Sequence, residues 1–179
     1  MIVGTQHVAE KASFGEALSE FVAGLSDYVC TSDGQWAVKG FIDAYRNVFT
    51  ISSDTKIVSK ILEIHIFPRL LAFAQGIGYR LVLAQHQNYY PDISFVKEDD
   101  DSIRFAVDFK TTYRRPDKPH LCNGFTLGSH GAYFTDRSST KNIQFPYASY
   151  AGHFCLGIIY DRIDGTTIDE TRAHSIDQL

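Results

Sequence analysis

The segment from Ile103 to Thr111, IRFAVDFKT, alternates so cleanly that it reads as a β-strand with two unlike faces. Successive strand side chains point to opposite sides, so Ile103, Phe105, Val107 and Phe109 share one face and Arg104, Ala106, Asp108 and Lys110 the other. The first face is wholly apolar and has to be buried. The second carries an acid and a base about 7 Å apart along the strand. Such a strand needs partners. Tyr79–Ala84 (YRLVLA) and Asp92–Val96 (DISFV) supply two, and the polar turn Lys97–Ser102 (KEDDDS) joins the second to Ile103. Phe154–Tyr160 (FCLGIIY) is an unbroken apolar run, expected as a buried central strand.

Helical spacing marks two further elements. Ser13 with Glu16 reads as a capping box opening an amphipathic helix whose apolar positions are Phe14, Leu18, Phe21, Val22 and Leu25. Ser53 or Asp54 caps a second helix with Ile57, Val58, Ile61, Leu62 and Ile64 on its apolar side, running on to Gly76 with a kink or break expected at Pro68. Residues Cys30 to Ser52 have no clear assignment beyond a short strand at Val48–Ile51, and the polar tail from Asp161 carries no strong periodicity. Helices beside a meander of strands predict an α/β or α+β layer architecture.

The chain has 179 residues, of which 44% are hydrophobic and 21% charged, consistent with one globular domain over 1–179. Three widely spaced cysteines (Cys30, Cys122, Cys155) suit neither a disulfide framework nor a zinc knuckle, and point to a reducing, cytoplasmic compartment. No apolar run reaches spanning length, and no basic-then-apolar leader opens the chain, which argues against a membrane anchor and a signal peptide. Net charge is −4, mildly adverse for a duplex binder. The distribution is polarised, however. Lys110, Arg114, Arg115 and Lys118 stand together against Asp117, and the acids collect at Glu98–Asp101 and after Asp161.

The stretch that carries chemistry is Pro91-Asp92 followed by Asp108-Phe109-Lys110. If the two strands pair as a hairpin, Asp92 reaches the face of Asp108. Two carboxylates on adjacent strands suit Mg²⁺, which takes a few carboxylates plus waters and a phosphate. A neighbouring ammonium can steer a water or stabilise charge at a phosphorus centre. These parts fit phosphodiester hydrolysis. The competing reading is a surface hairpin in which Asp92 caps a turn and Asp108–Lys110 is a solvated ion pair. Glu63 likewise reads either as a functional carboxylate or as the polar edge of the buried helix stripe.

Five ordered segments resemble the EcoRV-type restriction endonucleases, members of the PD-(D/E)xK nuclease superfamily. They are SDTKIVSKILE with FPRLL (Ser53–Glu63, Phe67–Leu71), QNYYPDISF (Gln87–Phe95), AVDFKTTY (Ala106–Tyr113), GFTLG (Gly124–Gly128) and TKNIQFPYASYAGHF (Thr140–Phe154). The resemblance implies a restriction-endonuclease-like α/β (α+β) core over about 53–162, a mixed central sheet flanked by helices, with the N-terminal helix and a dimerisation region over about 1–52. It implies that Asp92 and Asp108 bind the metal, that Lys110 is the catalytic lysine, and that Glu63 assists metal binding. Lys56 matches a lysine of the same helix. Gln87 and Asn88 match a minor-groove loop, and Thr112, Thr126 and Lys141 match positions of backbone phosphate contact.

The function implied is Mg²⁺-dependent cleavage of double-stranded DNA by a homodimer, blunt at a six-base palindrome, with a cognate DNA methyltransferase as companion. The sequence also departs from the family. His86 replaces a glutamine, and Arg114–Asn123 (RRPDKPHLCN) differs throughout. His120 with Cys122 is a weak metal pair, and His130 and His153 read as packed or surface histidines. The Gly/Asn/Thr-rich recognition loop of the family is expected to be missing, the chain stopping at Leu179 in the polar stretch before it. A repair or resolvase-type nuclease on the same core, and an inactive DNA-binding remnant, are the alternatives.

Overall fold

The structure, a computed structural model, describes residues 2–51, 55–125, 131–161 and 173–175. Two long helices, α1 (Ile2–Ala23) and α3 (Thr55–Gly76), are separated by the single turn α2 (Ser26–Val29) and by strands β1 (Gly40–Ile42) and β2 (Asn47–Thr50). Strands β3 (Tyr79–Leu83), β4 (Ile93–Lys97), β5 (Arg104–Arg115) and β6 (Lys118–Cys122) follow. The chain then passes through a short helix α4 (Ala132–Thr135) to β7 (Gly152–Tyr160) and β8 (Ala173–Ser175).

The main sheet has the order β3-β4-β5-β6 with β7 against β5. Its pairs are antiparallel except β5–β7, which is parallel over Phe105–Tyr113, so the sheet is mixed as expected for an α+β domain. β1, β2 and β8 form a separate small antiparallel sheet. No helix among the described residues is long and apolar enough to cross a membrane.

The alternation of β5 decides the layering. Its apolar face places Phe105, Val107 and Phe109 in one core with Ile93 and Phe95 of β4, Phe14 and Leu18 of α1, and Ile66, Leu70 and Ala74 of α3. Phe14 stacks on Phe105 at 4.3 Å between ring centroids and meets Phe95 edge-on at 5.1 Å. Beyond burial of their area, aromatic pairs of this geometry contribute about 1 kcal/mol each. The opposite face carries an aromatic layer of Tyr90, Tyr133 and Tyr150 over Ala106. There Ser94 Oγ and the Tyr150 hydroxyl share a hydrogen bond of 2.8 Å.

Several expectations need correction. α1 does not begin at the Ser13–Glu16 box but covers Ile2–Ala23, and its added N-terminal part carries Glu10, which pairs with Lys97 and accepts a hydrogen bond from the Tyr79 hydroxyl at 3.1 Å. α3 runs through Pro68 without interruption. Pro68 and Ile64 lie on the exposed side, where the carbonyl deprived of its amide partner can be solvated. Ile57 and Ile64 are 42% and 62% exposed, so the buried stripe is Val58, Ile61, Leu62, Ile66, Leu70 and Ala74. The run Phe154–Tyr160 is not a central strand among the described residues. β7 bonds only to β5, and Cys155, Gly157 and Ile159 face outward. The Ser53 or Asp54 cap lies outside the described residues.

Candidate active site

Asp92 stands one residue before β4, after the cis Tyr90–Pro91 peptide. The β4–β5 register pairs Ile93 with Val107, so its continuation brings Asp92 opposite Asp108. Asp92 Oδ2 accepts a hydrogen bond of 2.7 Å from the backbone N–H of Phe109, clasping the two strands where both carboxylates emerge. Asp108 and Lys110 share the polar face of β5, and the Lys110 ammonium pairs with Asp108 Oδ2 and reaches Phe109 O at 3.3 Å. All three side chains are half-buried, those of Asp108 and Lys110 being 15% and 22% exposed.

Electrostatics follow from this packing. Burial, then the neighbouring Asp108 charge, push the Asp92 carboxyl up to about 6, against the opposing Phe109 amide and Lys110 ammonium. The two acids therefore form a site short of positive charge even with Lys110 present. Hard carboxylate oxygens in that condition suit a divalent cation of the Mg²⁺ type, which needs only one or two protein carboxylates alongside waters and a phosphate. Among the described residues, no cluster of three or more acidic, histidine or cysteine side chains is placed to enclose a metal, so any ion bound here would depend on water and substrate for its other ligands.

These residues open into a cleft of about 660 Å³. Lys56 from the start of α3, Gln87 and Asn88 from the loop before β4, and Thr112 of β5 line it together with Asp92, Asp108 and Lys110. A larger groove of about 980 Å³ runs between α1 and β7, but its mainly apolar lining brings no convergent set of polar groups. The cleft is therefore the candidate active site.

The other residues singled out from the sequence fall at graded distances from the cleft. Glu63 is turned toward Lys60, with which it pairs. It sits outside the cleft lining, yet close enough for its charge to act on Asp92. Thr112 is 3% exposed, and its hydroxyl donates to Asn123 O at 2.8 Å, tying the start of the next loop to β5. Lys141 is exposed and outside the lining, in a segment pinned to the Gln87-Asn88 loop by Tyr90 N–H to Asn142 O at 2.9 Å and Gln144 N–H to Tyr90 O at 2.8 Å. Thr126 lies outside the described residues, as does His130. His153 is packed, as expected, with Nδ1 3.0 Å from the Tyr90 hydroxyl and its ring stacked on Tyr147 at 3.9 Å.

Sequence reasoning missed Tyr133. It is 5% exposed, lines the cleft, stacks on Tyr90 at 5.0 Å, and has its hydroxyl held protonated by burial and by the charges of Asp108 and Asp92. Nothing in its local pattern marked it, since its position depends on α4 folding back over the polar face of β5.

Comparison with known proteins agrees with this geometry. The family model described as "Restriction endonuclease EcoRV" matches residues 32–179. The chain is 31% identical over 145 residues to the type II restriction enzyme EcoRV of Escherichia coli, a match covering 81% of this chain and 57% of that protein. The chain thus spans a little over half the length of the curated relative it matches. With the family model covering most of its length, this chain belongs to the EcoRV restriction endonuclease family.

Proposed function

We propose that the chain carries the catalytic centre of a type II site-specific deoxyribonuclease acting on double-stranded DNA. The observation that supports this reading best is the convergence of Asp92, Asp108 and Lys110 at the floor of one cleft whose rim bears Lys56, Gln87 and Asn88. Family membership supports the same reaction class.

In this reading Asp92 and Asp108 hold Mg²⁺. Glu63 acts from the edge of the site through its charge on Asp92 rather than from within the cleft. When bound, the cation would neutralise charge at the scissile phosphate and favour ionisation of a nearby water. The chain's own groups do the rest. Lys110, already at hydrogen-bond range of the Asp108 carboxylate, orients the attacking water or stabilises charge on the phosphorane-like transition state. Oxygen from water bonds to phosphorus as the bond to the 3′ oxygen breaks, leaving a 5′-phosphate and a 3′-hydroxyl.

Thr112, Thr126 and Lys141 are proposed as contacts to the DNA backbone that fix its register, Gln87 and Asn88 as minor-groove contacts, and Lys56 as a further DNA contact. A twofold homodimer cutting a six-base palindrome bluntly, in a cytoplasm that also holds a protecting methyltransferase, completes the proposal. Cleavage of supercoiled plasmid in Mg²⁺ but not in EDTA tests it, since an inert DNA-binding protein would shift the plasmid's mobility without cutting.

A further inference from the structure

We propose that the β5–β6 hairpin is an arm that grips duplex phosphates outward from the cleft, about four to five base pairs from the bond cut. The inference rests on the DNA-cleaving reading above.

β5 is twelve residues long, but β4 pairs with it only as far as Val107 and β7 only as far as Tyr113. Its last residues and β6 therefore project past the rest of the sheet. Lys118, Pro119, His120 and Leu121 are all exposed, so β6 adds nothing to the core. Both stems of the hairpin stand on the cleft, because Thr112 and Tyr113 before it and Asn123 and Gly124 after it line the site. The arm rises from the rim.

Its charge is opposite to that of the chain. Within the hairpin itself Arg114, Arg115 and Lys118 stand with a single acid, Asp117, in a protein whose net charge is −4. Arg115 is bound twice by Asp117, at 3.1 and 2.7 Å, and Arg114 Nε lies 3.7 Å from Asp161 Oδ1. Lys118 makes no ion pair among the described residues. Exposed pairs of this kind are weak, and a phosphate can displace Asp161 from Arg114. Strand alternation puts Arg114 on the face of Asp108, Lys110 and Thr112.

At about 3.4 Å per residue, Arg114 stands roughly 13 Å beyond Lys110 and the Arg115–Lys118 pair roughly 17 Å. The duplex rises about 3.4 Å per base pair, which places the contacts four to five pairs from the cut. Contacts of this sort set affinity and orientation and carry no base information.

The test is the salt dependence of binding to a fluorescent random-sequence duplex, read by anisotropy in EDTA so that nothing is cut. Each lost phosphate contact lowers the slope of log K against log salt by about 0.9. Lys118→Ala is expected to lower it by about 0.9 and Arg114→Ala with Lys118→Ala by about 1.8. Asp117→Asn, which releases Arg115, is expected to steepen it, and Lys39→Ala, a charge-matched change outside the arm, to leave it unchanged. Binding by the wild type with the same slope in the Arg114/Lys118 double variant overturns the arm while leaving the nuclease reading intact. An equal fall in Lys39→Ala also overturns it, since net charge would then explain the effect. Failure of the folded wild-type chain to bind duplex DNA would overturn both.

Discussion

The carboxylate of Asp92 is bonded to the backbone N–H of Phe109, at 2.7 Å, in the strand that carries Asp108 and Lys110. One hydrogen bond thus fixes the spacing of the two acids, and the protein holds them together against their repulsion. Burial first, and the Asp108 charge second, push Asp92 up to about 6 from an ordinary value of 3.8.

That shift has a sign. A carboxyl with a raised folded-state value stabilises the fold below its unfolded value and loses that contribution as pH climbs through the folded one. Asp92→Asn, which mimics the protonated acid and keeps an acceptor for Phe109, is therefore expected to stabilise the metal-free protein at pH 8, by about 1–3 kcal/mol. The gain should be roughly halved at pH 5 and vanish in acid. Urea unfolding in EDTA at both values checks this, and a loss of stability at pH 8 would show that the Asp92 carboxyl is not raised in the folded state.

Asp108 and Glu63 should separate sharply. Asp108 faces the cleft beside Lys110, whereas Glu63 acts on Asp92 from outside the cleft lining. Cleavage should be undetectable in Asp108→Asn, while Glu63→Gln should need on the order of 10- to 100-fold more metal for half-maximal rate, as for a group that supports ligands without being one. Metal titrations of the cleavage rate distinguish the two. Equal losses would place Glu63 among the direct ligands.

The link between α1 and the sheet is electrostatic as well as apolar. The Lys97 hydrogen bond, helped by the Tyr79 hydroxyl and the Lys97 charge, outweighs burial and holds the Glu10 carboxyl below the ordinary value of 4.5. A depressed carboxyl stabilises above its unfolded value, and that stability is lost as pH falls through the folded one. Glu10→Gln is expected to cost up to about 1 kcal/mol at pH 7, with the difference shrinking below pH 4.5. Thermal melts across that range measure it.

Phe14 is 2% exposed and touches the rings of Tyr79, Phe95, Phe105 and Phe154. Truncation to alanine should cost about 3–5 kcal/mol through lost burial and the cavity left behind. Denaturant midpoints report the loss. A cost under about 1 kcal/mol would mean that α1 is not part of the cooperative core.

Much of this was legible because β5 is a strict two-faced strand. Its alternation placed Phe105, Val107 and Phe109 inward and Asp108 and Lys110 on the cleft side, and the short turn from Lys97 to Ser102 implied the hairpin that brings Asp92 across. What failed was long-range. Ile57 and Ile64 looked buried by spacing alone, yet both are exposed, and α3 buries Val58, Ile61, Leu62, Ile66, Leu70 and Ala74. Phe154–Tyr160 looked central because it is continuous in apolar residues, yet among the described residues only one edge of β7 is paired. β8, three residues in a polar tail, has no periodic signal and is defined by the register Val48–His174. Tyr133 reaches the cleft only through tertiary folding.

Asp92, Asp108 and Lys110 are proposed to form one phosphodiester-hydrolysing centre. That proposal is tested most directly by incubating supercoiled plasmid with the purified chain, in Mg²⁺ and in EDTA, beside Lys110→Ala. The expected result is discrete cleavage products in Mg²⁺, none in EDTA, and a rate at least about 100-fold lower in Lys110→Ala with duplex binding retained. Cleavage by Lys110→Ala at the wild-type rate, or no cleavage by a folded wild-type sample that binds duplex DNA, would contradict it.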